Sequence, residues 1–244
     1  MKYYLVIVLL ACLMCNAQTQ PYGTPLDSTF YARIASVEAG PSTPALVRAY
    51  TNTITSAVSS VTISSTDTTG GNYGLVALNN WTIAPTTTAT WNGVSMTLVT
   101  NTTFGNATVQ FHKIWAIANP GSGNVVVTFT GATPSEGGVT AMVFSGVGSI
   151  SQVTSNSSGT SSVLALTNTI TVNANDLVVS CLAWQRENTY TAPTNSTVIA
   201  NAHPSGTKAS ERVATIPGVA GALSVYWQVN SASELAIANV VLSP

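Results

Sequence analysis

The side chains able to do chemistry are few, and their spacing decides most of what the chain can be. His112 and His203 are its two histidines, far apart, with no Asp or Glu at ligand spacing from either. A zinc centre gathers three or four His, Cys or carboxylate ligands. No such cluster is visible, so neither a metal nor a cofactor is expected. On an alternating strand His112 shares a face with Gln110 and lies opposite Phe111, which places it on the exposed face, where polar side chains usually sit. His203 precedes Pro204 in a turn.

Glycoside hydrolysis needs two carboxylates flanking a cleft. Asp67, Glu136, Asp176, Glu187, Glu211 and Glu234 fall in separate turns and strand ends, and nothing in the sequence selects a pair. Arg186-Glu187 and Glu211-Arg212 read as local or cross-strand surface ion pairs, each worth little. Asp67 and Asp176 bring one carboxylate each to their turns, which suits a turn cap better than calcium. Gly121-Ser122-Gly123 is a turn without the strand-to-helix setting of a nucleophile elbow. No enzymatic activity is expected.

Aromatic residues are the better candidates. Trp81, Trp91, Trp115, Trp184, Tyr226 and Trp227 lie on or beside expected strands. An exposed Trp or Tyr face stacks on a pyranose ring while Asn and Gln fix its hydroxyls. Trp184, Gln185, Asn188 and Tyr190, at one strand end, form the candidate glycan-binding surface. The competing reading is a Trp that closes one end of the core, since Trp is highly buried on average. Trp115 and Trp227 alternate with Val or Ile and read as core.

Charged residues make up 6% of the chain, against about a quarter in an ordinary domain. No basic run is present, which excludes nucleic acid as a partner, because that affinity rests on Lys and Arg meeting phosphate. Ser, Thr and Asn carry the polarity instead, and a near-neutral surface tends to associate. N-x-Ser/Thr sequons at Asn80, Asn101, Asn106, Asn156 and Asn195 permit glycosylation.

Residues 1–17 have the layout of a secretory signal peptide, one Lys followed by an apolar run and Asn16-Ala17. The run is too short to span a bilayer, and a hydrophobic arm buried in an assembly is the other reading. Removal of this segment leaves Cys181 alone, so no internal disulfide can form. Residues 18–48, broken by Pro21, Pro25, Pro41 and Pro44, read as an extended arm. Tyr22, Phe30 and Tyr31 are its candidate contacts with a neighbouring subunit.

From residue 49 to 244 the sequence alternates and is rich in Val, Ile and Thr, with Gly, Asn and Pro clusters about every ten residues, the mark of many short antiparallel strands. Strands are predicted at 52–63, 73–80, 86–91, 94–100, 107–118, 123–130 and 138–145, then at 162–172, 176–184, 195–201, 208–216, 222–229 and 234–242. Residues 107–130 predict a long hairpin closed by Pro120-Gly121-Ser122-Gly123, and Asn92-Gly93 predicts a two-residue turn.

The two strand series echo each other. Leu75-Val76 matches Leu177-Val178, Lys113-Ile114 matches Arg212-Val213, and Val125, Val127 and Phe129 match Leu223, Val225 and Trp227. Ala141 and Val143 match Ala236 and Ala238. Two such sets can bury their apolar faces against each other. The expected fold is therefore an all-β, antiparallel two-sheet sandwich of jelly-roll type with an extended N-terminal arm.

The run Trp91-Asn92-Gly93-Val94-Ser95-Met96, with Ile114-Trp115, Asn119-Pro120, Gly123, Val125 to Thr128, Gly131 and Phe144 to Val147, resembles β-sandwich modules of phage virion proteins and exported bacterial surface proteins. The resemblance covers most of residues 50–244 and implies a fold, with no shared catalytic residues. The expected function is a non-enzymatic structural subunit of an extracellular or virion-surface assembly, a filament, layer or fibre built by self-association. The alternative is a glycan-binding module. Both place the protein outside the cell or on a virion exterior, with no membrane span.

Overall fold

The segments LVVSCLAW (177–184) and LAIANVVL (235–242) are apolar at nearly every position, and such strands must be covered on both faces. That requirement is met by four layers of sheet. The structure is a computed structural model describing residues 42–81, 86–105, 110–185, 189–203 and 209–244, and every regular element in them is a strand. The first half contains β1 (Ala45–Ile54), β2 (Ser60–Thr66), β3 (Tyr73–Trp81), β4 (Thr86–Trp91), β5 (Val94–Ser95), β6 (Thr97–Phe104), β7 (Gln110–Ala118), β8 (Gly123–Thr130) and β9 (Glu136–Ser145). The second contains β10 (Ser149–Ser157), β11 (Val163–Val172), β12 (Leu177–Trp184), β13 (Tyr190–Thr191), β14 (Thr197–Ala202), β15 (Ser210–Pro217), β16 (Gly221–Ser233) and β17 (Leu235–Ser243).

The sheets are antiparallel, and the two halves repeat one strand order. In the first half a central sheet β1-β9-β3-β7-β6 is covered by an outer sheet β2-β8-β4-β5; in the second, β10-β17-β12-β15-β14 is covered by β11-β16-β13. Even the irregularities recur. Bulges shift the register between Leu46 and Arg48 in β1 and between Ile150 and Gln152 in β10, and again between Leu98 and Thr100 in β6 and between Val198 and Ala200 in β14. The central sheets pack face to face so that β1 meets β14 while β10 meets β6, and β9 meets β14 while β17 meets β6. That exchange of partners is an approximate twofold relation between the halves.

Three apolar layers follow. Leu75, Ile114, Met142 and Phe144 meet Val179, Cys181, Val213 and Val240 between the central sheets. Trp91, Trp115, Val127 and Phe129 fill the space under the first outer sheet, and Trp184, Trp227, Ile237 and Val241 under the second. The all-β sandwich expectation holds, with a different layering: each half makes its own pair of sheets, where one pair spanning both series was expected.

The hairpin expected at 107–130 is not formed. β7 pairs with β3 and β6 in the central sheet, while β8 pairs with β2 and β4 in the outer one. Pro120 to Gly123 therefore carries the chain from one layer to the next. The Asn92-Gly93 turn does close a hairpin, with Asn92 at φ 48° and Gly93 at φ 78°, the paired positive φ of a type I′ turn. The predicted strand at 52–63 is two strands, β1 and β2, and β1 begins at Ala45, inside the segment assigned to the arm. β10 and β13 were not anticipated.

The strand ladders also correct the internal match. Lys113 and Arg212 do occupy equivalent places, paired with Leu78 and Leu182. By the same ladder the counterpart of Leu75 is Val179, two residues beyond Leu177. The counterpart of Ala238 is Thr140, so the match of Ala141 and Val143 to Ala236 and Ala238 was three residues out and on the wrong face.

Gly138 shows how tightly the halves meet. A Cβ there would lie 2.6 Å from the Ala202 carbonyl oxygen and 2.7 Å from its Cβ. Gly138→Ala is expected to cost roughly 1–3 kcal/mol, the usual range for overpacking, because the obstacle is backbone. Urea unfolding at constant m-value checks it, and an unchanged midpoint would show that β9 and β14 are less closely apposed.

Candidate functional site

Between the central sheets the core turns polar at one end. Two residues along each strand from an inward apolar side chain stands a polar one: Asn79 after Ala77, His112 before Ile114, Thr140 before Met142 and Glu211 before Val213. The strand period of two aims all four into the same gap. Phe104, Ala183 and Ala236 pack as a small apolar cluster of their own.

His112 and Glu211 are each completely buried, and they are equivalent positions of the two halves facing each other. His112 Nε2 stands 3.9 Å from Glu211 Oε2, too long for a hydrogen bond. Thr140 Oγ1 donates to Glu211 Oε1 at 2.7 Å, and Asn79 Nδ2 donates to the Ser210 carbonyl at 2.6 Å. The Ser210 hydroxyl lies 2.8 Å from His203 Nδ1. Among the described residues, Glu211 Oε2, Asn79 Oδ1 and both ring nitrogens of His112 have no hydrogen-bond partner.

Burial sets the protonation of this group. Desolvation pushes the Glu211 carboxyl up to about 8, against the smaller lowering effects of the Thr140 hydrogen bond and of Arg212. Desolvation also takes His112 down to about 4. Near neutral pH both are therefore uncharged, the cheap state in a low-dielectric gap. The Cys181 thiol is pushed well above its ordinary value by burial and then by Glu211, which leaves it unreactive. With Asn79, His112, Thr140 and Glu211 all sealed from solvent, the cluster can pin one half to the other and gain or lose a proton.

This overturns the exposed placement of His112. The alternation of face was right, but the face that was expected to meet water meets the second half. Glu211 and Arg212 are not a surface ion pair either. They point to opposite faces of β15, both buried. Thr140 and Asn79 went unnoticed in the sequence; the signal was a polar residue inside an otherwise apolar run, GGVTAMVF and GLVALNNW.

On the other face of β15, Arg212 lies in an aromatic slot, its guanidinium carbon 5.0 Å from the Trp184 ring centroid and 4.9 Å from that of Tyr190. Tyr190 in turn lies 6.1 Å from Trp184 and 6.0 Å from Trp227. Lys113, at the equivalent place in the first half, lies over Phe111 and donates to the Thr87 hydroxyl. Trp184 has no exposed surface, so it cannot offer a stacking face to a sugar. Tyr190 and Gln185 are half-buried beside it, while Asn188 lies outside the described residues, as do Tyr22, Phe30 and Tyr31 of the arm and the pair Arg186-Glu187. At this strand end Trp184 itself is core, while Gln185 and Tyr190 keep part of their surface exposed.

No family model, curated protein or solved structure matches the chain.

The two turn aspartates behave as caps. Asp67 accepts the Thr69 amide at 2.9 Å, which holds its carboxyl below the usual range, and pairs with Arg48 at 3.0 Å. Asp176 accepts the Asn173 amide and the Ser243 hydroxyl, each at 2.7 Å. Among the described residues no three His, Cys, Asp or Glu side chains come together as a metal site, and no helix is long and apolar enough to cross a membrane. Of the sequons, Asn80 is fully buried, whereas Asn101, Asn156 and Asn195 are exposed.

Proposed function

We propose that the protein is a structural subunit of an extracellular or virion-surface assembly, joined by strand addition between copies, and that each half is connected as a jelly roll. One observation carries this reading. The edge strands are β1 and β6, β10 and β14, β2 and β5, and β11 and β13. Of these only β1 holds a charged residue, Arg48, and none holds a proline. Monomeric sheet proteins usually protect their edges with charge or proline.

Four of the six large apolar side chains exposed among the described residues fall on the same edges, Val94 (58%) on β5, Leu98 (47%) on β6, Leu164 (51%) on β11 and Val198 (39%) on β14, while Val219 lies in the β15–β16 connection and Tyr226 on the interior strand β16. Leu98 and Val198 sit at equivalent bulges of the two halves, so the approximate twofold places like edges at the two lateral sides of the central layers. An incoming strand would pair with the backbone and cover these side chains. The signal-like residues 1–17 support an exported setting.

The test is to follow the mature protein by sedimentation and negative-stain microscopy beside a Leu98→Lys, Val198→Lys variant. Concentration-dependent assembly is expected for the parent and its loss for the variant, with the melting temperature retained. A parent that stays monomeric at high concentration, or a variant that assembles equally well, would sink the proposal.

A further inference from the structure

The solvent face of the first outer sheet carries a second feature that assembly at the edges does not use. Its outward positions pair as Thr86 with Thr130, Thr88 with Thr128, and Thr90 with Val126 across β4 and β8. Strand geometry spaces such side chains about 4.8 Å across the strands and about 7 Å along them. The face therefore presents a regular, uncharged array of hydroxyls and methyls. At one end it runs into an open groove of about 550 Å³, lined by Thr90, Asn92, Gly93, Gly123, Asn124 and Val126, within the size range of small-ligand sites.

The groove has a constrained wall. Asn92 sits in the left-handed position of its turn and its backbone amide donates to the Asn124 carbonyl at 2.7 Å. Its carboxamide lies over the layer-crossing loop, with atoms 3.0 Å from where a Gly121 Cβ would stand and 2.4 Å from where a Gly123 Cβ would stand. Any side chain at either glycine would displace it. Across the groove, Asn124 Oδ1 accepts the Ser65 amide at 3.0 Å, which fixes the orientation of the second carboxamide.

We infer that this groove and the threonine array beyond it bind a neutral glycan chain. A carboxamide offers donors and an acceptor together, and a hydroxyl does the same, which matches the paired donor and acceptor character of vicinal sugar hydroxyls. The threonine and Val126 methyls suit the C–H face of a pyranose. Charge matching selects among ligands: no cation lines the groove or the array, so an acidic polysaccharide or a phosphate would find no partner.

The experiment is retention of the full chain on insoluble cellulose, chitin, β-1,3-glucan and mannan, with alginate as the acidic contrast. Thr88→Lys and Thr128→Lys, each placing a cation on the array, are compared with Thr88→Ser and with Thr169→Lys on the outward face of the second outer sheet. Retention on at least one neutral polymer is expected, weakened at least ~10-fold by each of the first two variants and unchanged in the other two, with melting temperatures alike. The inference is overturned by no retention on any neutral polymer, by stronger retention on alginate, by unaltered retention in Thr88→Lys and Thr128→Lys, or by an equal loss in Thr169→Lys. Thr88 and Thr128 lie on β4 and β8, the interior strands of their sheet, so a loss on substituting them is independent of whether the protein assembles through its edges.

Discussion

Raising the pH from 6.5 to 8 is expected to destabilise the protein, and Glu211→Gln is expected to remove that loss. The folded Glu211 carboxyl holds its proton to about 8, against an ordinary value of 4.5. Between those values the folded state binds a proton that the unfolded chain has released, so stability falls as pH rises. His112 acts oppositely, because its folded value near 4 lies below its ordinary 6.5. From 4 to 6.5 the unfolded chain binds the extra proton and stability rises with pH. The two slopes offset each other between 4.5 and 6.5. Above 6.5 only Glu211 remains, and one proton over that window is worth about 2 kcal/mol.

Neither Arg212 nor Cys181 changes this window. Arg212 points away from the gap, and the Cys181 thiol titrates well above the window. Gln at position 211 keeps an acceptor for the Thr140 hydroxyl, so the variant should fold and show a flat profile from 6.5 to 8. Chemical unfolding at half-unit pH steps reads this directly. A parent profile that is flat over the same window, or a variant with the same decline, would show that Glu211 ionises in the fold without cost.

The same gap explains what the sequence concealed. Strand positions were legible wherever an alternating or continuous apolar run met Gly, Pro or Asn, as at β3, β8 and β12, because the backbone preference and the buried face agree there. β10 and most of β1 escaped because they are half-exposed edge strands, SISQVTSNS and ALVRAYTNTI, with little apolar periodicity to read. Register within a strand was also legible: His112 was correctly opposed to Phe111. The covering of both faces was not, since alternation says which residues share a face and is silent on what lies beyond it. The clue was present in LVVSCLAW and LAIANVVL, whose polar members Ser180 and Asn239 are enclosed rather than exposed. The layer-crossing loop at Pro120 to Gly123 failed for a related reason, because a turn sequence reverses the chain without specifying whether the next strand pairs with the last.

Truncating Trp227 should cost more stability than any surface change. The residue is fully buried at the centre of the second outer gap, and its indole Nε1 donates to the Ser180 hydroxyl at 2.8 Å. It also forms one wall of the slot in which Tyr190 separates it from Trp184, with Arg212 stacked on the latter two. Trp227→Ala removes the ring, opens a cavity and leaves the Ser180 hydroxyl without its donor, a combination worth roughly 3–5 kcal/mol. In a chain of this size that is a fall in melting temperature on the order of 10 °C. Trp227→Phe separates the two contributions. It keeps most of the volume and loses only the hydrogen bond, so it should give back all but about 1–2 kcal/mol of the loss. Two variants of equal stability would mean that the ring is loosely packed and the hydrogen bond dominates. A Trp227→Ala protein as stable as the parent would mean that β16 does not close the second half at all.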